Sequence, residues 1–358
     1  MLLNDTANVS HVGCQAVSDA HARMLGRRGH RIVKRSFLGD LQRFADPDAS
    51  SGIAGALADP AFRDEIESVD AVVVNGEGTI HHGAGSEYLN VLGAAVRLGK
   101  PALLVNCVLE AVDGFDDVLS NLDDLVVRDE RSRRYLAQKG IPARLVHDSF
   151  IEARFEDHPL VNIADHVVVT DWHHARDHDV GSNLLNFLGH RMGDPSRRTW
   201  FLPFLCSDVS RAWARVPATL SRAHALVTGR HHGVYAAALV GLPFVAFSGN
   251  TFKIEGFFDQ FPELAFCLNP SSIAGALAQA TERRDLFLSV RDRLLSKKPL
   301  PTFEHLGGTF DPDGEQREVD RLAQDCFLRS DAFGVDLGYR LTRRSEEVKM
   351  ATGQRTGS

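Results

Sequence analysis

The first half of the chain alternates short apolar runs with longer segments whose apolar residues recur at helical spacing. Residues 70–78 (DAVVVNGEG) stay apolar until the chain reaches glycine, which is typical of a fully buried strand. Residues 88–99 have helical spacing and end at Gly99, and 101–108 (PALLVNCV) predict a second buried strand. This alternation predicts a parallel sheet with helices on both faces.

The alternation continues to about residue 150 and resumes after residue 164. The stretch between mixes charged residues with one proline, so we place a domain boundary there. The further strands predicted in the first half are 124–130 and 143–149, with a helix over 131–140 between them. In the second half the pattern predicts strands within 165–174, 199–205, 223–233, 243–249 and 264–270, and helices over 234–241 and 271–283.

The predicted fold class is therefore α/β, with two doubly wound Rossmann-like domains that face each other across a cleft. We assign residues 1–158 to the first domain and 159–312 to the second. Residues 313–358 contain an amphipathic helix over 314–330 and then a polar tail expected to be disordered. In such sheets ligands bind at the carboxyl ends of the strands.

Polar residues follow most of these strands, so the rule places them at the cleft. They are Asn75-Gly76-Glu77-Gly78, Asn106, Arg128-Asp129 and Asp148 in the first domain, and Asp171 to His174, Pro203 and Arg230-His231-His232 in the second.

Glu77 lies between two glycines directly after a strand. The glycines allow the backbone to turn and expose amides to an anion, although a tight structural turn explains them equally well. The full dinucleotide-binding spacing is absent, since His81 stands where a third glycine would be. A poorly solvated Glu77 would be a candidate acid or base.

Two histidine-rich segments raise the question of a metal. His81 and His82 are adjacent, so their side chains diverge and do not chelate one ion as residues four apart on a helix do. We expect one to line a pocket and the other to be solvated. The segment 171–179 (DWHHARDHD) is expected to be a polar loop at the cleft rim, and no metal is predicted.

The stretch 226–235 (LVTGRHHGVY) places one fixed cation and two imidazoles between a buried strand and a buried helix. Desolvating charge there is costly unless an anion is bound. Arg230 would grip the anion, and His232 would carry a proton. Lys253 follows the next strand, so it should lie beside this turn. Arg128 would either bind the anion as a second cation or form a structural ion pair with Asp129 or Asp148.

Composition narrows the function. A chain of 358 residues suggests two domains, and a net charge of −7 argues against a general nucleic-acid binder. The five cysteines are scattered singly, which favours reduced thiols in a cytoplasmic protein. The N-terminal stretch does not resemble a signal peptide, and no run approaches the roughly 18 apolar residues of a membrane span.

Four segments, taken in order, resemble the polysaccharide pyruvyl transferase family over roughly residues 1–270. They are DAVVVNGEGTIHH, GKPALLVNCV, DLVVRDERSRRYLAQKGI with LVHDSF, and LVTGRHHGVYAAALVGLPFVAFSGNTFKIEGFF. The N-terminal loop of the family is matched only loosely, by NVSHVGCQAV. The resemblance implies a glycosyltransferase-B-like fold and transfer of a pyruvyl group from phosphoenolpyruvate to a sugar, usually giving a pyruvate ketal.

The resemblance also implies roles for the residues that match the motifs. Arg230, His232, Arg128 and Lys253 match the family's motif residues and would bind the donor, together with His231. In our own hypothesis of the mechanism, His232 is the acid. Glu77, or one of His81 and His82, is then the base on the acceptor side, which Asn75, Gly76 and Asn106 complete. Phosphoenolpyruvate would be a co-substrate, with no cofactor, and the acceptor a glycan or sugar precursor, with no nucleic-acid partner.

Two other functions fit the same fold. One is a glycosyltransferase with a nucleotide-sugar donor, for which Glu255 would bind the ribose, although no aromatic residue clearly stacks on a base beside it. The other is a carbohydrate-binding relic without activity. Retention of Arg230, His232 and Lys253 together argues against a relic.

Overall fold

The computed structural model describes residues 1–172 and 198–333, which form two parallel sheets flanked by helices. The rest of the histidine-rich segment after Trp172, and the polar tail after residue 333, lie outside the described residues. Among the described residues, no helix is long and apolar enough to cross a membrane.

The first sheet has six parallel strands in the order β2-β1-β3-β4-β5-β6. They are β1 (Leu2–Asp5), β2 (Arg35–Phe37), β3 (Val72–Asn75), β4 (Ala102–Cys107), β5 (Asp124–Val127) and β6 (Arg144–Leu145). Its helices are α1 (Val12–Arg27), α2 (Ala49–Ala58), α3 (Pro60–Glu67), α4 (Ser86–Arg97), α5 (Asp116–Ser120) and α6 (Glu130–Gln138).

The second sheet, in the described part of the chain, has four parallel strands in the order β10-β9-β7-β8. They are β7 (Val167–Trp172), β8 (Thr199–Phe201), β9 (Ala225–Gly229) and β10 (Phe244–Ala246). Numbered along the described residues, the helices are α7 (Ser207–Arg211), α8 (Val216–Leu220), α9 (His231–Leu239), α10 (Lys253–Gln260), α11 (Ile273–Glu282), α12 (Arg284–Leu295) and α13 (Gly314–Phe333).

One hydrophobic core runs from the first sheet into the second. Val126 of β5 and Phe150 belong to the same buried cluster as Leu226 of β9 and Phe244 of β10. Burial of aliphatic and aromatic side chains stabilises by roughly 1.5–3 kcal/mol each. The two sheets are therefore joined by packing beneath the site, and not only by the chain between them.

The C-terminal helix α13 returns to the first sheet and packs on α1. A Cβ added at Gly26 would lie 2.2 Å from the carbonyl oxygen of Gly314, so the two helix backbones touch. Arg27 forms an ion pair with Glu315, and the Glu318 carboxylate accepts from Ile32 N at 3.0 Å. These contacts fix α1, whose other end reaches the site.

Two strand predictions differ from the structure. The pattern predicts a strand over residues 264–270, but Pro262–Cys267 is a 3₁₀ helix, and only Leu268 bridges to Ala246. Short apolar runs do not distinguish a strand from a buried helical turn, and Pro262 favours the first turn of a helix. The strand expected within 143–149 is only two residues long, because Asp148 begins another 3₁₀ turn.

Candidate active site

Residues with left-handed backbone mark the carboxyl ends of three neighbouring strands. The φ angle is 55° at Asn4 on β1, 38° at Glu77 after β3 and 56° at Asn106 on β4. Such angles are uncommon outside glycine, cost about 1–3 kcal/mol, and cluster at functional sites. These three strained residues lie at the carboxyl ends of the strands, where the sequence predicted ligand binding.

Asp148 organises the centre of the site. Its fully buried carboxylate accepts from Arg128 Nη1 at 2.5 Å, from His231 Nε2 at 3.0 Å and from the backbone of Phe150 at 2.8 Å. His232 Nε2 lies 3.6 Å from the same carboxylate. Burial alone would raise the pKa of Asp148, but Arg128 and the two histidines hold it well below its usual value.

Of the partners that the sequence left open, Arg128 pairs with Asp148. Asp129 is not its partner, because that carboxylate caps α6 by accepting from the backbone and hydroxyl of Ser132, each at 2.8 Å. The other guanidinium nitrogen, Nη2, faces the turn after β3: a Cβ added at Gly78 would lie 3.7 Å from it. One half of the guanidinium is paired with Asp148, and the other half faces the site.

Asp148, His231 and His232 also bring three potential metal-ligand atoms within 4.8 Å of one another. Arg128 already donates to the carboxylate oxygen that faces both histidines. Burial and Arg128 lower the pKa of His231 to about 3, which keeps its ring neutral. Asp148 therefore holds His231 by a hydrogen bond, whereas His232 Nε2 lies 3.6 Å away and is attracted to the carboxylate by charge only when its ring is protonated.

Lys253 lies near Arg128. We call the region formed by Arg128, Arg230 and Lys253 the cationic corner. A Cβ added at Gly78 would lie 3.5 Å from its ammonium nitrogen, which donates to Asn250 Oδ1 at 2.8 Å. Among the described residues, no carboxylate lies within 4.0 Å of this ammonium group. Desolvation and the neighbouring Arg128 lower the pKa of Lys253 to about 8. Within the described ranges, Lys253 is thus a cation without an ion-pair partner, which is what an anion site requires.

Arg230 is positioned from the second sheet. Its Nε donates to Asp171 Oδ2 at 2.7 Å, and its backbone N–H donates to Thr228 Oγ1 at 3.0 Å. Asp171 lies near the end of β7, the strand beside β9, so parallel neighbours bring the pair together. The Arg230 side chain is 14% exposed, which leaves part of the guanidinium accessible.

Two helices begin in this corner. α9 starts at His231, three residues earlier than predicted, and α10 starts at Lys253. Neither helix is capped by the side chain of its own cap residue, although Gly233 N–H donates to Arg230 O at 3.0 Å and the Glu110 carboxylate accepts from Phe252 N at 3.1 Å. The remaining N–H groups of the two first turns and the helix dipoles favour an anion here. β9 and β10 are neighbours, which confirms that Lys253 lies beside the Arg-His-His turn.

A histidine at the start of α1 also belongs to the site, although the sequence pattern did not predict it there. His11 precedes the helix, and its ring lies 5.9 Å from the ring of His232. A Cβ added at Gly13 would lie 1.7 Å from His232 Nδ1, so only glycine allows this approach. The loosely matched NVSHVGCQAV does indicate a helix start at His11, because a polar residue precedes apolar positions at helical spacing, but it does not indicate the approach to His232.

Glu77 and the asparagines form the first-domain side of the site. Cys14 Sγ lies 3.4 Å from Glu77 Oε1, and Asn75 Nδ2 lies 3.5 Å from Oε2. Asn106 Nδ2 in turn lies 3.5 Å from Asn75 Oδ1. Burial and Glu77 raise the pKa of Cys14 well above its usual value, so the thiol stays protonated and donates to the carboxylate.

Gly76, in contrast, has a packing role. A Cβ added there would lie 2.2 Å from Cys107 Cβ on the neighbouring strand, so a larger residue would separate β3 from β4. This geometry explains the glycine without a ligand, which is the structural alternative that the sequence left open.

His81 and His82 do not diverge as expected, because their rings meet edge to face at a centroid distance of 5.4 Å, but they differ in burial as predicted. His81 is half-buried, with Nε2 3.4 Å from Asn250 Nδ2, whereas His82 is exposed, with Nε2 3.4 Å from Glu110 Oε1. Burial and Lys253 lower the pKa of His81. His81 is therefore the one of the pair that lies nearer the cationic corner.

Comparison with known proteins identifies a family. A family model described as polysaccharide pyruvyl transferase matches residues 12–251, about two thirds of the chain. No curated protein matches the sequence.

Two solved structures are similar to this chain at low sequence identity. A protein from Listeria monocytogenes assigned as a UDP-N-acetylglucosamine 2-epimerase has a TM-score of 0.50 and 12% identity, and the match covers 94% of this chain and 97% of that one. UDP-GlcNAc 2-epimerase from Neisseria meningitidis has a TM-score of 0.47 and 11% identity, with coverage of 90% and 99%. The first likeness and the two parallel sheets show a glycosyltransferase-B-like fold, which confirms the predicted class.

Proposed function

This chain belongs to the polysaccharide pyruvyl transferase family, and from that premise we propose that it transfers a pyruvyl group from phosphoenolpyruvate to hydroxyls of a glycan or sugar precursor, forming a pyruvate ketal. The observation that carries the proposal is Lys253, a partly buried ammonium with a neutral partner, beside two arginines and two helix starts. Burying these cations without a counter-charge costs free energy, and a bound anion offsets that cost through charge-assisted hydrogen bonds.

Phosphoenolpyruvate suits this corner because it carries two anionic groups. A phosphate monoester contributes about −1.5 to −2 charges at neutral pH, and the carboxylate contributes one more. Arg230 and Lys253 would bind one group with the α9 and α10 N–H groups, while Arg128 Nη2 would bind the other. The ion pairs with Asp171 and Asp148 fix the two arginines in place beforehand, which is how electrostatic stabilisation becomes effective.

The reaction needs two protons moved and one bond to phosphate broken. In our proposal, His232 protonates the methylene carbon, which leaves a cation-like centre at C2. One acceptor hydroxyl adds to C2 as Glu77 takes its proton. Phosphate then leaves, and a second hydroxyl completes the ketal while its proton goes to phosphate. The proton on Glu77 then returns to His232 through solvent, so that across the whole reaction one hydroxyl proton replaces the one given to the methyl group and the other ends on phosphate.

Calorimetric titration with phosphoenolpyruvate is the direct test. We expect saturable binding that is lost in Arg230→Ala, because that side chain supplies a charge-assisted grip. Arg222→Ala is the matched control, since Arg222 is exposed and precedes the opposite end of β9. It should bind like the wild type.

Parallel titrations with UDP, GDP and CMP separate the rival functions. Binding of a nucleoside diphosphate without any response to phosphoenolpyruvate would overturn our proposal in favour of a nucleotide-sugar glycosyltransferase. A wild-type protein that binds none of these ligands, alone or together with sugar acceptors, would favour the non-catalytic relic.

The affinity for phosphoenolpyruvate should also depend on alkaline pH through Lys253. The anion binds the protonated ammonium, and the pKa of Lys253 is lowered to about 8. Affinity should therefore be highest below pH 8 and fall by up to about tenfold per pH unit above it. Lys253→Arg should remove this decline, because a guanidinium stays charged. A wild-type affinity that is constant from about pH 7 to 10 would contradict the assignment of Lys253.

A further inference from the structure

His11 serves as the cap of α1. Its Nδ1 accepts a hydrogen bond of 3.0 Å from the backbone N–H of Gly13, and its backbone is extended, as is usual at this position. A ring nitrogen that accepts a hydrogen bond carries no proton. The proton of the neutral ring is therefore on Nε2, and the cap itself selects this tautomer.

The other ring nitrogen has no such partner in the part of the chain that the structure describes. Within residues 1–172 and 198–333, His11 Nε2 makes no hydrogen bond. The ring is 9% exposed and lies between Phe204 and His232, at centroid distances of 6.2 and 5.9 Å. Desolvation and the charges of His232, Arg230 and Lys253 lower the pKa of His11 well below 6.5, so the ring is neutral at physiological pH.

His11 also lies where the two halves of the site meet. Val12 N donates to Phe204 O at 2.9 Å, and His11 itself forms an antiparallel bridge with Leu205, which follows β8. The residue thus belongs to the first-domain helix α1 by sequence and to the cationic corner by position. Its free donor is held there by contacts with both halves.

Resting on the proposed function, we propose that His11 is a further substrate-binding residue, whose Nε2–H donates to an anionic oxygen of phosphoenolpyruvate while its Nδ1 caps α1. A neutral donor can approach the phosphate without repelling Arg230 and Lys253. An additional cation at this position would be repelled by both.

Two substitutions separate the two nitrogens of the ring. In His11→Asn the amide oxygen occupies the position of Nδ1, so the cap is kept and the donor at the Nε2 position is lost. In His11→Gln the amide nitrogen reaches the Nε2 position, but the cap is lost. His224→Asn is the matched control, because His224 is exposed and precedes the opposite end of β9.

We expect His11→Asn to melt like the wild type and to bind phosphoenolpyruvate about tenfold or more weakly, as for a lost hydrogen bond to a charged group. His11→Gln should melt at a lower temperature yet bind better than His11→Asn. The control should match the wild type in both measurements. Wild-type affinity in His11→Asn would overturn the proposal, and so would weaker binding in His11→Gln than in His11→Asn.

Inorganic phosphate distinguishes failure of this inference from failure of the proposed function. If the wild type does not bind phosphoenolpyruvate, the proposed function is wrong, and the same variants are titrated with inorganic phosphate. A loss of phosphate affinity in His11→Asn would then support His11 as an anion donor for another ligand. Equal affinities, or no phosphate binding by the wild type, would overturn the inference.

Discussion

Asp148→Asn should lower the free energy of unfolding by about 3–5 kcal/mol and remove activity. The carboxylate is fully buried and neutralises Arg128, whose side chain is 2% exposed. An amide of the same shape leaves that guanidinium buried without a counter-charge, and breaking a buried pair in this way typically costs this much. The same change frees His231 and His232 from the group that orients them.

Asp259→Asn is the matched control for this prediction. Asp259 also pairs with an arginine, Arg131, at 2.6 Å, but on the surface, where such pairs contribute about 0–1 kcal/mol. Denaturant unfolding followed by circular dichroism measures both variants. The double variant Arg128→Met, Asp148→Leu should regain stability without activity, because it removes the buried guanidinium that has lost its counter-charge. Equal losses in Asp148→Asn and Asp259→Asn would contradict the assigned role of the buried pair.

The dependence on pH gives a second readout of the same pair. The folded state holds the pKa of Asp148 well below its usual value. Its contribution is therefore complete above the unfolded-state pKa of about 3.9 and is lost as pH falls below it. Stability of the wild type should decline on acidification through this range, and Asp148→Asn should show a shallower decline.

The sequence predicted much of the site because strand ends in parallel sheets converge. That rule locates Arg128, Asp148 and Arg230, and it also places Lys253 correctly because β9 and β10 are neighbours. The rule needs only the direction and approximate length of each strand. Errors of a few residues at strand ends, such as at β6, left the positions of these side chains intact.

The partners of these residues could not be predicted in the same way. The sequence allowed Arg128 to pair with either Asp129 or Asp148. Asp129 is not the partner because its carboxylate caps α6 and accepts from the N–H and hydroxyl of Ser132. His11 was missed because its importance arises from tertiary packing, in which α1 approaches α9 closely enough for Gly13 to touch His232. Nothing local to residues 8–17 specifies this contact.

His232→Gln should lower turnover by about 10²–10⁴-fold, the usual contribution of a general acid, while the affinity for phosphoenolpyruvate stays within a few fold of the wild type. Glutamine can still donate a hydrogen bond, but it cannot deliver a proton to the methylene carbon. The wild-type ring is held in position for proton transfer, because it stacks on Phe150 at 5.3 Å with an angle of 21° and contacts Gly13.

Release of phosphate from phosphoenolpyruvate in the presence of sugar acceptors measures the effect, and calorimetry measures the affinity. His224→Gln, the same change at an exposed histidine, should leave both unchanged. Near-normal turnover in His232→Gln would remove His232 as the acid and transfer that role to another group in reach of the donor. Loss of affinity with unchanged turnover would instead make His232 a binding residue, because only a group that acts in the transition state lowers turnover selectively.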